Sequence, residues 1–366
     1  MLKIKQINTR ANTLNLVLFF LFCICFGTSC SKNANNTPKP NKTLEIKGAD
    51  MSFLPEIRQS GIILQNQEDQ TEDMLMTLKK SGVNVIRLRL WKNPESSNSD
   101  FATVKALAQE IKSLGMQVLL SVHYSDSWAD PAKQTKPAAW QNISFDQLLD
   151  SVYQYTQKIM AEITPEYIQI GNEINGGFLW PDGSISNFSQ FKQLLNQGIK
   201  AVKESNTSTK IIIHYAGYEN ADPFFSKISS LDFDIIGISY YPRWHGKDLQ
   251  ALEVNLKFIS ERHDKPILIA ETSYPFTLNW NDWTNNIIGE TNQILNEFEA
   301  SPEGQKAFLN KIKEISLDVP ECVGFCYWGG EWVSYKGTTS TEGSTWENQA
   351  FWNFENKSLP VLEAYQ

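Results

Sequence analysis

Much that would identify a common enzyme class is missing from this sequence. It contains no HExxH, CxxC, P-loop or GxGxxG pattern, so metalloprotease, zinc-ribbon and nucleotide-binding chemistry have no support. Cysteine is scarce, with five in 366 residues. Cys322 and Cys326 stand four apart in a stretch that reads as a strand, so both are expected on one face about 13 Å apart. That is too far to bridge, and two buried free thiols are expected. No basic patch is visible. Lys and Arg number 33 against 41 Asp and Glu, for a net charge of −8. An acidic surface argues against nucleic acid as a partner and is compatible with a neutral polymer. The apolar run at residues 16–26 covers 11 residues, whereas a membrane-spanning helix needs about 20.

That run follows Lys3, Lys5 and Arg10, the order of a signal peptide. It ends at Gly27-Thr28-Ser29-Cys30, which resembles a bacterial lipobox. Residues 1–29 are therefore expected to be a removable lipoprotein-type signal, with Cys30 as the lipidated first residue of the mature chain. The polar, Pro-containing residues 30–43 read as a flexible tether that cannot bury a core. The implied location is outside the cytoplasm, anchored by lipid at the bacterial outer membrane, with no other membrane contact. Residues 1–29 hold three positive charges and no acid, so their loss takes the net charge from −8 to −11.

Residues 44–366 suit one α/β barrel domain. Apolar runs at 44–51, 83–90, 117–123, 167–173, 210–214, 234–240, 266–271 and 322–328 alternate with amphipathic segments. One such segment places Val104, Leu107, Ala108, Ile111 and Leu114 on a single stripe that Gly115 ends. Eight β-then-α units predict a closed (β/α)8 TIM barrel, with an open doubly wound sheet as the runner-up. The helix between the fifth and sixth strands has the shortest segment available.

Strand side chains alternate between faces. Parity turns Val85, Arg87 and Arg89 inward, and likewise Gln169, Gly171 and Glu173, and Ile267, Ile269 and Glu271. The last inward residues of the eight strands are then Asp50, Arg89, His123, Glu173, His214, Tyr241, Glu271 and Trp328. A barrel interior filled for stability alone would end in Val, Ile and Leu. This ring is polar and aromatic, and it gathers where barrel enzymes keep their sites. All 11 tryptophans fall at, or just after, the carboxyl end of an expected strand. About half are expected to line a sugar-stacking groove, among them Trp128, Trp244 and Trp328.

Glu173 ends the fourth strand and Glu271 the seventh, on opposite sides of the barrel mouth. Glycoside hydrolysis needs such a pair, one acid to protonate the leaving oxygen and one carboxylate to trap the oxocarbenium-like centre. Arg89 is expected to keep one carboxylate charged, helped by a hydrogen bond from Tyr241.

Several stretches resemble glycoside hydrolase family 53, the endo-β-1,4-galactanases. They are NEINGGFLWP at 172–181, GADMSF at 48–53, VIRLRLW at 85–91, HYSDSWADPAKQTKPAAW at 123–140, SYYPRWHG at 239–246, AETSYPFT at 270–277 and GFCYWGGEW at 324–332. The resemblance runs from about residue 47 to the end. It implies a retaining mechanism with Glu173 as acid/base, Glu271 as nucleophile and Asn172 on the sugar 2-hydroxyl. Tyr240, in the stretch at 239–246, joins Tyr241 among the expected substrate contacts. The implied substrate is β-1,4-galactan, the side chain of type I arabinogalactan in pectin. Two features depart from the pattern. Trp328 is followed by Gly329-Gly330-Glu331 where many relatives have Glu-Pro. The loop after the seventh strand, where some relatives hold calcium, offers Asp282 as its only acid, a weak site for a cation that wants several oxygens. No cofactor and no catalytic metal are expected, structural calcium is disfavoured, and the chain is expected to act as a monomer. The competing readings are a mannanase or glucanase of the same architecture and a non-catalytic glycan-binding lipoprotein.

Overall fold

A computed structural model describes residues 42–205 and 208–366. The expected signal peptide, the Cys30 lipidation site and most of the tether lie outside these residues. Eight parallel strands close into a barrel in chain order. They are β1 Ile46–Asp50, β2 Val85–Leu90, β3 Gln117–Val122, β4 Tyr167–Ile170, β5 Lys210–Ala216, β6 Ile235–Ser239, β7 Ile267–Thr272 and β8 Cys322–Tyr327. The helices are α1 Leu54–Gln59, α2 Met74–Ser81, α3 Phe101–Ser113, α4 Phe145–Glu162, α5 Phe188–Ser205, α6 Ala221–Ile228, α7 Pro242–His245, α8 Leu249–His263 and α9 Pro302–Asp318. The short segment between β5 and β6 does hold a helix, α6.

Local chemistry explains the boundaries. Asp73, Asp100, Ser144 and Asp248 each cap a helix by accepting from its first free amides, and Ser144 with Gln147 completes a reciprocal capping box. Gly82 stops α2 at φ +101, and a Cβ there would meet the Tyr365 carbonyl at 2.7 Å, so only glycine serves.

The floor of the barrel interior is apolar, made of Ile46, Val85, Leu119, Tyr167, Ile212, Ile235, Leu268 and Ala270. Every strand's opposite face packs on the helices in one large apolar cluster. Two parity expectations fail here. In β7, Leu268 and Ala270 face inward while Ile267 and Ile269 join the helical layer. Ile238 pairs with Ile269 and Ser239 with Glu271, so Ala270 is an extra residue. This β-bulge brings Glu271 inward beside Ala270. In β8, Ile267 pairs with Cys322 and Leu268 with Gly324, so Val323 is extra. Cys322 therefore packs on the helices, whereas Cys326 faces inward, with its Sγ 3.1 Å from where a Cβ on Gly48 would stand. Both are buried free thiols, but they do not point the same way.

Candidate active site

Above the apolar floor the interior turns polar. Arg87 of β2 is 1% exposed and braces four other parts of the barrel. Nη1 donates to Asp50 Oδ2 of β1 at 2.9 Å, while Nη2 donates to Glu271 Oε1 of β7 at 2.6 Å, to Asn172 Oδ1 at 2.9 Å and to Ser121 Oγ of β3 at 3.3 Å. Burial opposes the guanidinium charge, but Glu271 and Asp50 outweigh it and hold Arg87 charged. The expected ionic partner was Arg89, two residues on. Arg89 instead donates to Ser99 and lies 3.9 Å from the Trp128 ring centroid, 4.6 Å from Trp91 and 4.7 Å from Phe53. It works as a cation under aromatic rings and reaches the cleft as one of its walls.

The two glutamates occupy different environments. Glu271 is buried, with Arg87 donating to Oε1 and the Tyr241 hydroxyl donating to Oε2 at 2.9 Å. Burial raises this carboxyl, and Arg87 and Tyr241 oppose that rise. Among the described residues Glu173 has no cationic partner at hydrogen-bond distance. Its Oε1 lies 2.5 Å from Ser239 Oγ. Burial and the neighbouring Glu271 charge push its pKa up to about 8. The two carboxyls thus share one proton near neutral pH, and it resides on Glu173 while Glu271 stays ionised.

Backbone irregularity positions this acid. β4 ends at Ile170, Gly171 takes φ +81 and Glu173 φ +46. The chain leaves the strand between them, so Asn172 and Glu173 both face inward although they are consecutive. A left-handed conformation at a non-glycine residue is costly and persists where surrounding contacts hold it. Here Ile174 N–H donates to the His214 carbonyl and Gln134 Nε2 donates to the Asn172 carbonyl.

A cleft of about 540 Å³ opens over these groups. Its walls include Trp128, Trp244, Trp328, Trp332 and Trp346, five of the 11 tryptophans, in line with the expectation that half would line it. They form a continuous aromatic belt. Phe53 stacks on Trp332 at 4.5 Å, Trp332 on Trp128 at 6.2 Å, Trp328 meets Trp346 edge-on at 4.4 Å, and Trp346 lies 6.2 Å from Trp244. Trp91 and Trp140 are buried behind the wall, Trp352 is fully buried, and Trp280 and Trp283 are exposed.

Arg89, His123, Trp128, Asn172, Glu173, Tyr241, Trp244, Glu271 and Trp328 all face the cleft. His123 is neutral, held down by burial and then by Arg89. Its Nδ1 accepts from Trp91 Nε1 at 3.2 Å and from Ala129 N–H at 3.1 Å, so the ring's proton is on Nε2. Asp50 and His214 lie a layer below, where they brace Arg87 and Asn172. Tyr240 does not reach the cleft. Its ring packs in the helical layer and its hydroxyl donates to the Gly246 carbonyl, because it follows the inward Ser239 and precedes the inward Tyr241. Taking only the last inward residue of each strand passes over Arg87 and Ser239, which sit one layer deeper. Trp332, Trp346 and Asp130 come from loops and His245 from the single turn of α7, and none of them carries a periodic signal.

Beside Phe53 lies another buried carboxyl, Glu331, which accepts from Phe53 N–H at 3.1 Å and is pushed up to about 8 by burial and by Asp50. In the loop after β7, Asp282 Oδ1 accepts from Thr284 N–H and Oδ2 from Ser334 Oγ. Both oxygens are engaged by their own loops, a poor fit for calcium. Among the described residues no group of three or more His, Cys, Asp or Glu is placed to hold a metal ion.

Comparison with known proteins agrees with this geometry. Residues 46–365 match the sequence profile of glycosyl hydrolase family 53. The chain is 37% identical over 340 residues to an uncharacterised protein from the bgaB 5′ region of Niallia circulans, covering 87% of this chain and 93% of that one. It is 31% identical over 372 residues to an endo-β-1,4-galactanase of Bacillus subtilis, covering 88% and 85%. Among solved structures, the family 53 catalytic domain from Ignisphaera aggregans superposes with a TM-score of 0.84 at 38% identity, covering 90% of this chain and 98% of that one.

Proposed function

The chain belongs to glycosyl hydrolase family 53 and is a glycosidase, and from that premise we propose that it cleaves β-1,4-galactan internally by double displacement with retention. The observation that carries the assignment of roles is the asymmetry of the two glutamates. Glu271 has a donor on each oxygen, and Glu173 carries the pair's proton over the same cleft.

In the first step the Glu173 O–H bond breaks and its proton passes to the glycosidic oxygen, which keeps the electrons of its bond to C1. A Glu271 oxygen forms the new bond to C1. Arg87 and Tyr241 orient that carboxylate and stabilise its charge beforehand. In the second step the Glu173 carboxylate takes a proton from water, whose oxygen replaces Glu271 at C1. Asn172 uses Nδ2 to donate to the Ala129 carbonyl at 2.9 Å, and its second Nδ2 hydrogen is available for a sugar hydroxyl. The aromatic belt supplies the faces on which pyranose rings stack. No metal or cofactor enters either step.

The named activity of the Bacillus subtilis relative supports galactan as the polymer, and type I arabinogalactan side chains of pectin are the natural source we assign. The basic start, apolar run and lipobox-like Gly27–Cys30 sequence support a signal peptide, lipidation of Cys30 and anchoring at the bacterial outer membrane. Substituting Cys30→Ser and following fatty-acid incorporation tests that anchoring.

The activity test is reducing-sugar release from galactan, against mannan and cellulose, with proton NMR of the first product to read its anomeric configuration. Galactan cleavage with a β-configured initial product is expected. Glu271→Ala abolishes it. Glu173→Ala slows the polymer by about 10²–10⁴-fold but slows an aryl glycoside with a good leaving group far less. Survival of galactan cleavage in Glu271→Ala would overturn the mechanism.

A further inference from the structure

The polar layer below the cleft contains a chain of three hydrogen bonds, linking Asn172, His214, Ser239 and Glu173, whose polarity can be worked out by counting protons. His214 of β5 is buried, with Nδ1 3.2 Å from Asn172 Oδ1 and Nε2 2.8 Å from Ser239 Oγ of β6, which in turn is 2.5 Å from Glu173 Oε1. The Asn172 amide cannot be turned around, because Nδ2 donates to the Ala129 carbonyl while Oδ1 accepts from Arg87 Nη2 and Gln169 Nε2. Arginine has no acceptor to offer. Asn172 Oδ1 is therefore an acceptor, and His214 Nδ1 must carry a hydrogen to meet it. Burial and the adjacent Arg87 charge keep the His214 ring neutral, so its Nε2 is a bare acceptor. The Ser239 hydroxyl has one proton, and Nε2 takes it. Nothing is left for Ser239 to give Glu173, so the hydrogen between them comes from Glu173.

We propose that His214 and Ser239 form a polarity relay that holds Glu173 in its protonated state, because Asn172 fixes the tautomer of His214 and thereby makes Ser239 an acceptor toward Glu173. The inference rests on Glu173 being the acid/base. It makes Ser239 and His214 positioning residues, since neither faces the cleft. When Glu173 gives its proton to the leaving oxygen, the Ser239 hydroxyl turns from His214 Nε2 to the new carboxylate. The Nε2 lone pair is then left facing an oxygen lone pair. The relay thus disfavours the carboxylate and drives Glu173 to take back a proton from water in the second step. Other groups also act on this chain. Burial, Glu271 of β7 and Asp130 after β3 favour protonated Glu173; Arg87 of β2 opposes it, as a Ser239 hydroxyl aimed at the carboxylate would. His214 is influenced by Arg87 and His245, and His123 and Tyr241 are close enough to be coupled to the same cluster. None of these forms the Ser239 contacts, so the relay is separable from them by substitution.

The test uses the full chain labelled with nitrogen-15 histidine. The chain has four histidines, so the ring resonances are few enough to assign through a His214→Gln variant. Below the basic limb of the activity profile, His214 is expected as the Nδ1-protonated tautomer. An Nε2-protonated ring or an imidazolium there overturns the relay. In Ser239→Ala the basic limb is expected to move to lower pH by about half a unit or more, the size of one neutral hydrogen bond, and Ser239→Thr is expected to restore it. If Ser239 were an ordinary donor to a carboxylate, its removal would move the limb upward. If Glu173→Gln cleaves galactan at the native rate, the acid/base assignment fails instead, and the His214 tautomer still reports on the relay independently.

Discussion

Arg87→Met removes one positive charge from the barrel interior while keeping most of the side chain's length. Two carboxylates lose their partner, Asp50 at 2.9 Å and Glu271 at 2.6 Å. An adjacent cation commonly lowers a carboxylate pKa by about 1–3 units. Burial already acts upward on Glu271, so without Arg87 nothing ionic opposes that rise and only Tyr241 remains on it. In the proposed mechanism Glu271 must be ionised to attack, so the acidic limb of kcat/KM is expected to move up by about 1–3 pH units. Below that limb the rate falls about tenfold for each unit, or about 1.4 kcal/mol. Stability also falls, by about 3–5 kcal/mol, the usual cost of leaving a buried charge unpaired. Arg87→Lys separates the two effects. Its ammonium keeps the charge but cannot serve Asp50, Asn172 and Glu271 with the fixed fork of a guanidinium. Its acidic limb should stay near the native position while kcat drops. The assay is initial galactan hydrolysis from pH 4 to 9, paired with urea unfolding to confirm that each variant is folded. A folded Arg87→Met enzyme with an unmoved acidic limb would falsify the view that Arg87 keeps the nucleophile ionised.

Two other substitutions probe the surroundings. Trp332→Ala removes the ring stacked between Phe53 and Trp128. It is expected to raise KM for galactan about 3–10-fold with little change in kcat, as one aromatic platform contributes about 0.5–1.5 kcal/mol. A fall in kcat with unchanged KM would contradict a stacking role. Glu331, pushed up to about 8, is neutral at pH 6, so Glu331→Gln should leave kcat/KM at that pH within about twofold. A large loss at pH 6 would mean that Glu331 works as an anion.

The eight strands and the closed barrel were legible because a buried parallel strand and an amphipathic helix differ in period and length. The glutamate pair over the cleft, Glu173 and Glu271, was legible because glutamate at a strand's carboxyl end conflicts with core packing. Period-two alternation could not see the bulges at Ala270 and Val323, since an extra residue is defined by the neighbouring strand's register and not by its own sequence. Glu271 was placed inward by a parity that β7 does not follow, and the bulge is what makes the placement right. Arg87 and Arg89 share a face of β2, but their roles depend on depth. Arg87 meets Glu271, whereas Arg89 meets aromatic side chains from three different segments. Tyr240 and Tyr241 are adjacent, and alternation from the inward Ser239 singles out Tyr241 as the one that lines the cleft.

The Arg87–Glu271 bond joins residues 184 positions apart, and that separation sets a timetable. During synthesis β2 is made early, but its guanidinium has no Glu271 carboxylate to orient until β7 has emerged and docked. Contacts of such long range form late and slowly. A nascent or half-closed barrel therefore exposes no working site, and activity in any preparation counts the molecules whose barrel has closed.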